Sequence, residues 1–250
     1  MTPHDPHPAP PQPAALDAWP TVEELAARWT AIRARVDAAA IAAGRDPQQI
    51  RLLPVSKTYP LEVIARAAAA GMTQFGENRP QELALKAQAA GEMQVEFVQI
   101  GQLQSNKAKL IAAHAAEFQA LDSLSVAAAL ERRLAAAERE LPVLVQVNTS
   151  DEPQKAGLRP ADVEAFVDAL SEFPHLRPRG LMTVALHSPD RAAVAACFTR
   201  LADVRDGLRG RVPEEWLQEL SMGMSGDFEL AIAHGSTCVR VGQAIFGPRG

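Results

Sequence analysis

The chain has 250 residues, 47% of them hydrophobic and 22% charged, and carries a formal net charge of −5 at pH 7. This composition is typical of a globular protein with a sizeable core and excludes a chain that is unfolded throughout. The acidic balance, with no dense cluster of Lys and Arg, argues against binding to nucleic acid.

No feature of a membrane or secreted protein is present. No apolar run approaches the roughly 20 residues that span a bilayer, and the N-terminus lacks the basic and apolar regions of a signal peptide. The two cysteines, Cys197 and Cys238, offer neither a disulfide framework nor the spacing of a zinc site. We therefore expect a cytoplasmic protein without membrane contact and without a bound metal.

The first twenty residues hold seven of the nineteen prolines and almost nothing that could be buried. We predict that residues 1–20 form a disordered tail, and we give His4 and His7 within it no metal-binding role. A helix should follow, because Thr21 and Glu24 fit a capping box and Gly44 fits a C-terminal cap.

Eight β-rich runs then alternate with alanine-rich helical runs. In chain order the strands are predicted in IRLLPVSK, MTQFGE, VEFVQIG, EFQALD, PVLVQVN, LRPRGLMTV, WLQELSM and STCVRVG. This alternation predicts an α/β fold of parallel strands joined by crossover helices. Eight units favour a single (β/α)8 barrel over residues 21–250, with an open doubly wound sheet as the alternative. Only nine residues follow Val241, so we expect no second domain.

In a (β/α)8 barrel the reactive groups lie at the carboxyl ends of the strands and in the loops that follow. This rule selects, in chain order, Lys57, residues 75–78, residues 100–107, Asp122, residues 148–157, Met182 with Thr183, residues 221–227 and residues 240–242.

The loops after the last two strands have the composition of a phosphate site. SMGMSGD (221–227) supplies two glycines, two serines and the start of a helix, and RVG (240–242) supplies a further glycine. Barrels often bind phosphate here through backbone N–H groups. The same Ser and Gly residues would also suit a simple capping turn.

Lys57 shares a strand face with Leu53 and Val55, so it should point toward the barrel interior. A partly desolvated lysine becomes a nucleophile toward carbonyls, the usual prelude to a Schiff base. The alternative is a lysine that reaches out to solvent from the strand end. An amine opposite a phosphate site favours pyridoxal 5′-phosphate (PLP), which needs both.

Six segments carry a family resemblance: PVSKTYP, FGENRPQE, IGQLQSNK, VLVQVNTSDEPQKAGL, RGLMTV and LSMGMSGDFELAIAHGSTCVRVGQAIFG. They closely resemble the pyridoxal phosphate homeostasis proteins, the single-domain relatives of the alanine racemase N-terminal barrel. The likeness covers the chain in order after the proline-rich tail.

The resemblance implies a cofactor site for PLP, with the cofactor held as a Schiff base on Lys57. It places Ser221, Gly223 and Ser225 around the phosphate together with the backbone of Gly242 and Gln243. Arg240 would face the pyridine nitrogen, where a guanidinium can only donate a hydrogen bond and so weakens the ring as an electron sink. Asn78 and Asn148 are expected beside the ring, although polar residues at strand ends are often only loop caps.

Three features depart from the family pattern. Phe97, Val98 and Gln99 stand where aromatic and histidine residues are common, Gln243 replaces a Thr or Ser, and Arg79 replaces a tyrosine. These differences concern the third loop and the phosphate side chains, and they leave Lys57 and Arg240 unchanged.

Racemisation requires a second base on the opposite face of the cofactor, and Tyr59, the only tyrosine, is two residues from Lys57. We therefore expect a monomeric, non-catalytic protein that holds PLP, serves intracellular vitamin B6 homeostasis and delivers PLP to apoenzymes. Two alternatives remain: a weak PLP-dependent amino-acid racemase, and a Schiff-base aldolase that uses no cofactor.

Overall fold

The computed structural model describes residues 19–247. The predicted tail therefore lies outside the described residues, apart from its last two positions, and so do His4 and His7. Within the described part of the chain, no helix is both long and apolar enough to cross a membrane.

Trp19 and Pro20, the last two residues of the predicted tail, are tied to the folded domain. The Arg66 guanidinium donates to their main-chain oxygens at 3.1 and 3.0 Å. The Trp19 ring also packs edge-on against Tyr59, with 5.4 Å between ring centroids. Both residues thus pack against the barrel domain just ahead of the first helix.

Helix α1 (Val22–Ala42) begins at the predicted capping box. The Glu24 N–H donates to Thr21 Oγ1 at 3.2 Å, and the Thr21 N–H donates to the Glu24 carboxylate at 2.9 Å. Two donors that a helix start leaves unsatisfied thereby find partners. The helix is capped at Ala43, and Gly44 follows with a φ of +68°. The predicted start and end of α1 are confirmed.

The remaining elements alternate as the sequence predicts. The strands are β1 (Arg51–Pro54), β2 (Gln74–Glu77), β3 (Glu96–Gln99), β4 (Glu117–Leu121), β5 (Leu141–Gln146), β6 (Leu176–Met182), β7 (Glu219–Ser221) and β8 (Cys238–Val241). The helices after α1 are α2 (Leu61–Ala69), α3 (Pro80–Ala90), α4 (Ala108–His114), α5 (Leu124–Ala136), α6 (Val163–Leu170), α7 (Arg191–Gly207), α8 (Phe228–Ala233) and α9 (Gln243–Phe246).

The eight strands are parallel and neighbour one another in the order β1-β8-β7-β6-β5-β4-β3-β2. The two ends of this series meet at a parallel bridge between Val55 and Gly76, which closes the ring. The fold is therefore a (β/α)8 barrel, and the alternative of an open doubly wound sheet is wrong. All eight carboxyl ends of the strands face one mouth.

The apolar core lies mainly between the strands and the surrounding helices, and its largest buried side chains include Phe75, Phe118 and Phe198. Inside the ring a smaller apolar cluster of Leu53, Val98 and Cys238 fills part of the space. The two cysteines are free and buried. An inward Leu53 agrees with the strand face predicted for the segment before Lys57.

A hydrogen-bonded chain of polar side chains occupies the rest of the interior. We call it the axial chain: Arg51, Glu117, Gln119, Ser221 and Arg240. Arg51 donates to both oxygens of Glu117 at 2.6 and 2.8 Å, and Gln119 Nε2 donates to the same carboxylate at 2.6 Å. Ser221 Oγ donates to Gln119 Oε1 at 2.7 Å and accepts from Arg240 at 2.6 Å. The axial chain thus connects the two ends of the barrel.

Helix α9 was not predicted. It spans only Gln243–Phe246, directly after β8, and it buries Ile245 and Phe246. Four residues make barely one turn, which is too short for a helical hydrophobic period to show in a sequence.

Arg51 contacts two carboxylates at the amino end of the barrel, since it also donates to Glu219 at 2.8 Å. Arg51→Met keeps most of the side-chain volume and removes the charge, which leaves the buried Glu117 carboxylate without a cation. We expect a loss of about 3 kcal/mol in the free energy of unfolding, measured by urea denaturation.

The control is Arg177→Met, which breaks an exposed pair with Glu140. Exposed pairs contribute little to stability, so this variant should unfold close to the wild type. Equal losses in the two variants would contradict the importance of the buried pair.

Candidate functional site

A cavity of about 590 Å³ opens at the carboxyl ends of the strands. Six of the nine residues predicted to bind cofactor lie in its wall: Lys57, Asn78, Ser225, Arg240, Gly242 and Gln243. The predicted amine and the predicted phosphate loops therefore face the same space.

Lys57 follows β1 in a tight turn and is half-buried. The Tyr59 N–H closes the turn on the Ser56 oxygen at 3.0 Å. Thr58, the next residue after Lys57, has a φ of +71°, a left-handed conformation that is uncommon for a residue with a branched side chain. The lysine thus projects from a compact backbone segment rather than from a regular strand.

A buried ion cluster lies directly behind this turn. The Lys86 ammonium, on α3, contacts Glu77 at 2.6 Å and Glu82 at 2.7 Å. Ser56 Oγ donates to the Glu77 carboxylate at 2.5 Å. Burial raises the pKa of Glu77 to about 7, although the charge and hydrogen bond of Lys86 oppose this rise. Glu77 was selected only as part of the 75–78 segment, and its two charged partners were not predicted.

Arg240 points its guanidinium into the mouth from β8 and is only 4% exposed. It donates to Ser221 Oγ at 2.6 Å and to the Thr183 main-chain oxygen at 2.7 Å. Burial lowers the pKa of the guanidinium from its usual value. Within residues 19–247 it makes no salt bridge; its hydrogen-bond acceptors are neutral oxygens, and the Asp227 carboxylate in the same cavity wall acts on it electrostatically without contact.

The far wall carries backbone donors. Ser225 and Gly226 precede α8, and among the described residues their N–H groups have no acceptor in the protein. Gly242 and Gln243 stand at the start of α9, where the first N–H groups of a helix have no intrahelical partner. An anion at this wall would find several amide donors together.

Three predicted residues lie outside the cavity wall. Ser221 is buried, and its hydroxyl is engaged in the axial chain. Gly223 has a φ of +95°, and a Cβ there would lie 2.6 Å from Ala231 Cβ, so this position suits only glycine. The Asn148 side-chain amide donates to the Glu152 oxygen at 2.9 Å and holds its own loop together. These residues support the wall from behind.

Gln99, one of the residues that differ from the family pattern, holds the loop after β3 in place. Gln99 Nε2 donates to the main-chain oxygens of Asn78 and Gly101, both at 2.9 Å. One buried amide thereby ties the loops after β2 and β3 together. Asn78 remains in the wall of the cavity.

His187, Ser188 and Gln146 also line the cavity and were not predicted. The sequence analysis ended the sixth loop at Thr183, whereas the segment before α7 continues to Asp190. A histidine and a serine within so short a polar loop were the available signal. Within the described residues no cluster of His, Cys, Asp and Glu could hold a metal ion.

Comparison with known proteins gives three findings. The family described as alanine racemase, N-terminal domain, matches residues 28–250. The pyridoxal phosphate homeostasis protein of Escherichia coli (strain K12) is 40% identical over 231 residues, which cover 91% of this chain and 98% of that protein. A structure of PipY from Synechococcus elongatus PCC7942, with PLP bound, has a TM-score of 0.79 and 33% identity, and the match covers 89% of this chain and 100% of PipY.

Alanine racemase from Streptomyces coelicolor A3(2) shares the fold at 19% identity and a TM-score of 0.70. The match covers 92% of this chain but 59% of the racemase.

Glu77→Gln tests the charge state of the ion cluster. The pKa of Glu77 rises from 4.5 to about 7 on folding, so the native protein binds this proton more tightly than the unfolded chain does. The wild type should therefore lose stability as pH rises through this window, whereas the variant should not. We expect the unfolding free energy of the wild type, relative to Glu77→Gln, to fall by up to about 3 kcal/mol between about pH 4 and about pH 8.

Urea denaturation of both proteins across this range measures the difference. A wild-type-minus-variant difference that stays constant with pH would contradict the raised pKa.

Proposed function

Because the chain belongs to the pyridoxal phosphate homeostasis protein family, we propose that it binds PLP at the barrel mouth and serves intracellular PLP homeostasis. The observation that carries this proposal is one cavity that holds the Lys57 amine, the Arg240 guanidinium and the amide donors of Ser225 and Gln243. The nine residues named from the sequence remain the proposed cofactor-binding set, six in the wall and three behind it.

The donor set fits the cofactor. When bound, PLP supplies an aldehyde, a pyridine nitrogen and a phosphate, and each can be matched to a group in this cavity. Lys57 would hold the cofactor through its amine, the group that would form a C=N bond with the aldehyde as one water leaves. The unpaired backbone donors of Ser225, Gly226 and the start of α9 suit the phosphate.

Arg240 suits the ring nitrogen because it is a cation at the cavity that forms no salt bridge among the described residues. A guanidinium donates hydrogen bonds and has no lone pair to accept one. It would therefore favour the unprotonated form of the nitrogen, which would limit the electron withdrawal that carbanion chemistry needs. Ser221 and Thr183 fix the guanidinium in place.

We propose that the protein holds PLP without catalysing amino-acid chemistry. Its only tyrosine, Tyr59, is 4% exposed, and its hydroxyl donates to the Gly247 oxygen at 2.8 Å. The ring stacks on Phe246 and lies outside the cavity wall. This supports the absence of a tyrosine base on the second face of the cofactor.

The proposal further includes a cytoplasmic monomer that passes PLP to apo PLP-dependent enzymes and contacts neither nucleic acid nor membrane. Both cysteines of the chain are free, which is usual in a reducing compartment. The net charge of −5 is unfavourable for phosphate backbones.

Lys57→Met tests the covalent link. The wild type incubated with PLP should turn yellow, and borohydride reduction followed by peptide mass analysis should find the label on Lys57. The variant should lose the colour and the label while keeping its fold, because the side chain ends in the cavity. The matched control is Lys109→Met, which removes an exposed lysine on α4 and should label like the wild type.

A wild-type protein that stays colourless with added PLP would overturn the proposal and leave a cofactor-free aldolase as the better hypothesis. A label on another lysine would contradict the assignment of Lys57.

Alanine deuterated at its α-carbon tests the absence of racemase activity. The PLP-loaded protein should exchange this deuterium no faster than free PLP at the same concentration, as measured by NMR. Exchange well above that rate, with release of the opposite enantiomer, would favour a weak racemase and would direct attention to His187 as the proton-transfer group.

A further inference from the structure

We propose that Lys86 and Glu82 are positioning residues for Lys57, because together they hold the two peptide groups on either side of its α-carbon. This inference rests on the proposed function, in which the Lys57 amine forms the bond to PLP. It concerns how the amine is aimed, and none of these side chains touches the cofactor.

The geometry is specific to the two bonds that flank Lys57. The Lys86 ammonium donates to the Ser56 oxygen at 3.0 Å, and this carbonyl belongs to the peptide that precedes Lys57. Glu82 Oε1 accepts from the Thr58 N–H at 2.7 Å, and this amide belongs to the peptide that follows Lys57. With both peptide planes fixed, the direction of the Lys57 Cα–Cβ bond is fixed as well.

Glu77 joins the two holding groups into one unit. Its carboxylate contacts Lys86 at 2.6 Å and accepts from Ser56 Oγ at 2.5 Å, so the residue before Lys57 is held by both its side chain and its main chain. Lys86 also contacts Glu82, four residues earlier on α3. Helix α3 therefore holds the Lys57 turn through two of its side chains, Lys86 and Glu82.

Stability alone does not explain why this ion cluster is buried. Lys86 is 7% exposed and Glu77 is fully buried, and one oxygen of Glu77 has no hydrogen-bond partner among the described residues. Buried ion pairs are weak contributors to stability, because desolvation offsets most of their attraction. An apolar contact between α3 and the barrel would serve packing equally well. The cluster instead supplies a cation and an anion at the two polar groups of the Lys57 turn.

The backbone conformation of Thr58 gives a second reason for these contacts to the Lys57 turn. Its φ of +71° is unfavourable for threonine and persists only where the surroundings impose it. The bond from the Thr58 N–H to Glu82 imposes it from one side, and the Tyr59 N–H bond to Ser56 imposes it from the other. Without Glu82 the backbone at Thr58 should relax, and the Lys57 side chain should then point in a different direction.

The test distinguishes an effect on the direction of the Lys57 amine from an effect on the folding of the cofactor site. Two ligands are used: PLP, and pyridoxine 5′-phosphate, which carries an alcohol in place of the aldehyde and cannot bond to the lysine. In Lys86→Met and in Glu82→Met, which removes the acceptor for the Thr58 N–H, we expect the affinity for PLP, and the rate of borohydride-fixed labelling of Lys57, to fall by about 10- to 100-fold. The affinity for pyridoxine 5′-phosphate should stay within about twofold of the wild type, because the ring and phosphate contacts are untouched.

Two further variants complete the design. Lys86→Arg keeps the cation and should recover most of the labelling rate. Arg139→Met is the matched control: Arg139 also donates to main-chain oxygens, those of Ala112 and Ala115, but it does so before β5, at the opposite end of the barrel. It should lower the melting temperature without changing either affinity. Glu82, the most exposed of the three acidic and basic groups, offers the variant least disruptive to folding.

Parallel loss of both ligands in Lys86→Met and Glu82→Met would overturn the inference, since it would mean that the cluster only maintains the fold. Labelling of Lys57 at the wild-type rate in both variants would overturn it as well. Failure of the wild type itself to label at Lys57 would reject the proposed function and this inference together, so the two failures are distinguishable.

Discussion

The closure of the strand ring between β1 and β2 is the constraint on which the site depends. Val55 and Gly76 form the bridge, and the Ser56 N–H donates to the Gly76 oxygen at 3.1 Å. A Cβ at Gly76 would lie 3.3 to 3.5 Å from side-chain atoms of Ile100, Val55 and Leu53, so these neighbours pack closely over the bridge. One residue beyond the bridge, Ser56 and Glu77 are brought into contact, and Lys57 follows at once. The position of the amine is thus set by the step that completes the barrel.

The two halves of the mouth are held by different chemistry. On the side of β1 and β2, the amine is backed by formal charges from α3, which grip the main chain of a short turn. On the side of β7 and β8, the wall is made of glycine turns and backbone donors, and the cation of Arg240 is held by neutral oxygens. The first half fixes a single reactive atom, and the second presents a surface of donors. A ligand that carries both an aldehyde and a phosphate matches this division.

Much of the fold and part of the site follow from the sequence. Alternation of β-rich and alanine-rich runs predicted the barrel, and the barrel rule then selected Lys57, Arg240 and the two glycine-rich loops, which do share one cavity. The partners of Lys57 could not be found in this way, because Lys86 stands on a helix nine residues after Glu77 and reads as an ordinary exposed helical lysine. Ser221 could not be separated from Ser225 either, since only the structure shows that one hydroxyl faces the interior and the other the cavity. Side-chain direction at a strand end depends on the local twist and on neighbours remote in sequence, which a pattern of residue types does not carry.

The axial chain has a direction as well as a length. Three successive donors point away from the mouth, Arg240 to Ser221, Ser221 to Gln119 and Gln119 to Glu117, and Arg51 donates to Glu117 from the opposite end. At the far end one guanidinium meets two carboxylates, those of Glu117 and Glu219, which leaves one formal negative charge opposite the positive charge of Arg240. The interior is therefore an oriented dipole with its positive pole at the opening. Because the surrounding core is apolar, this field is weakly screened. It should draw small anions toward the mouth of a protein whose net charge would otherwise repel them.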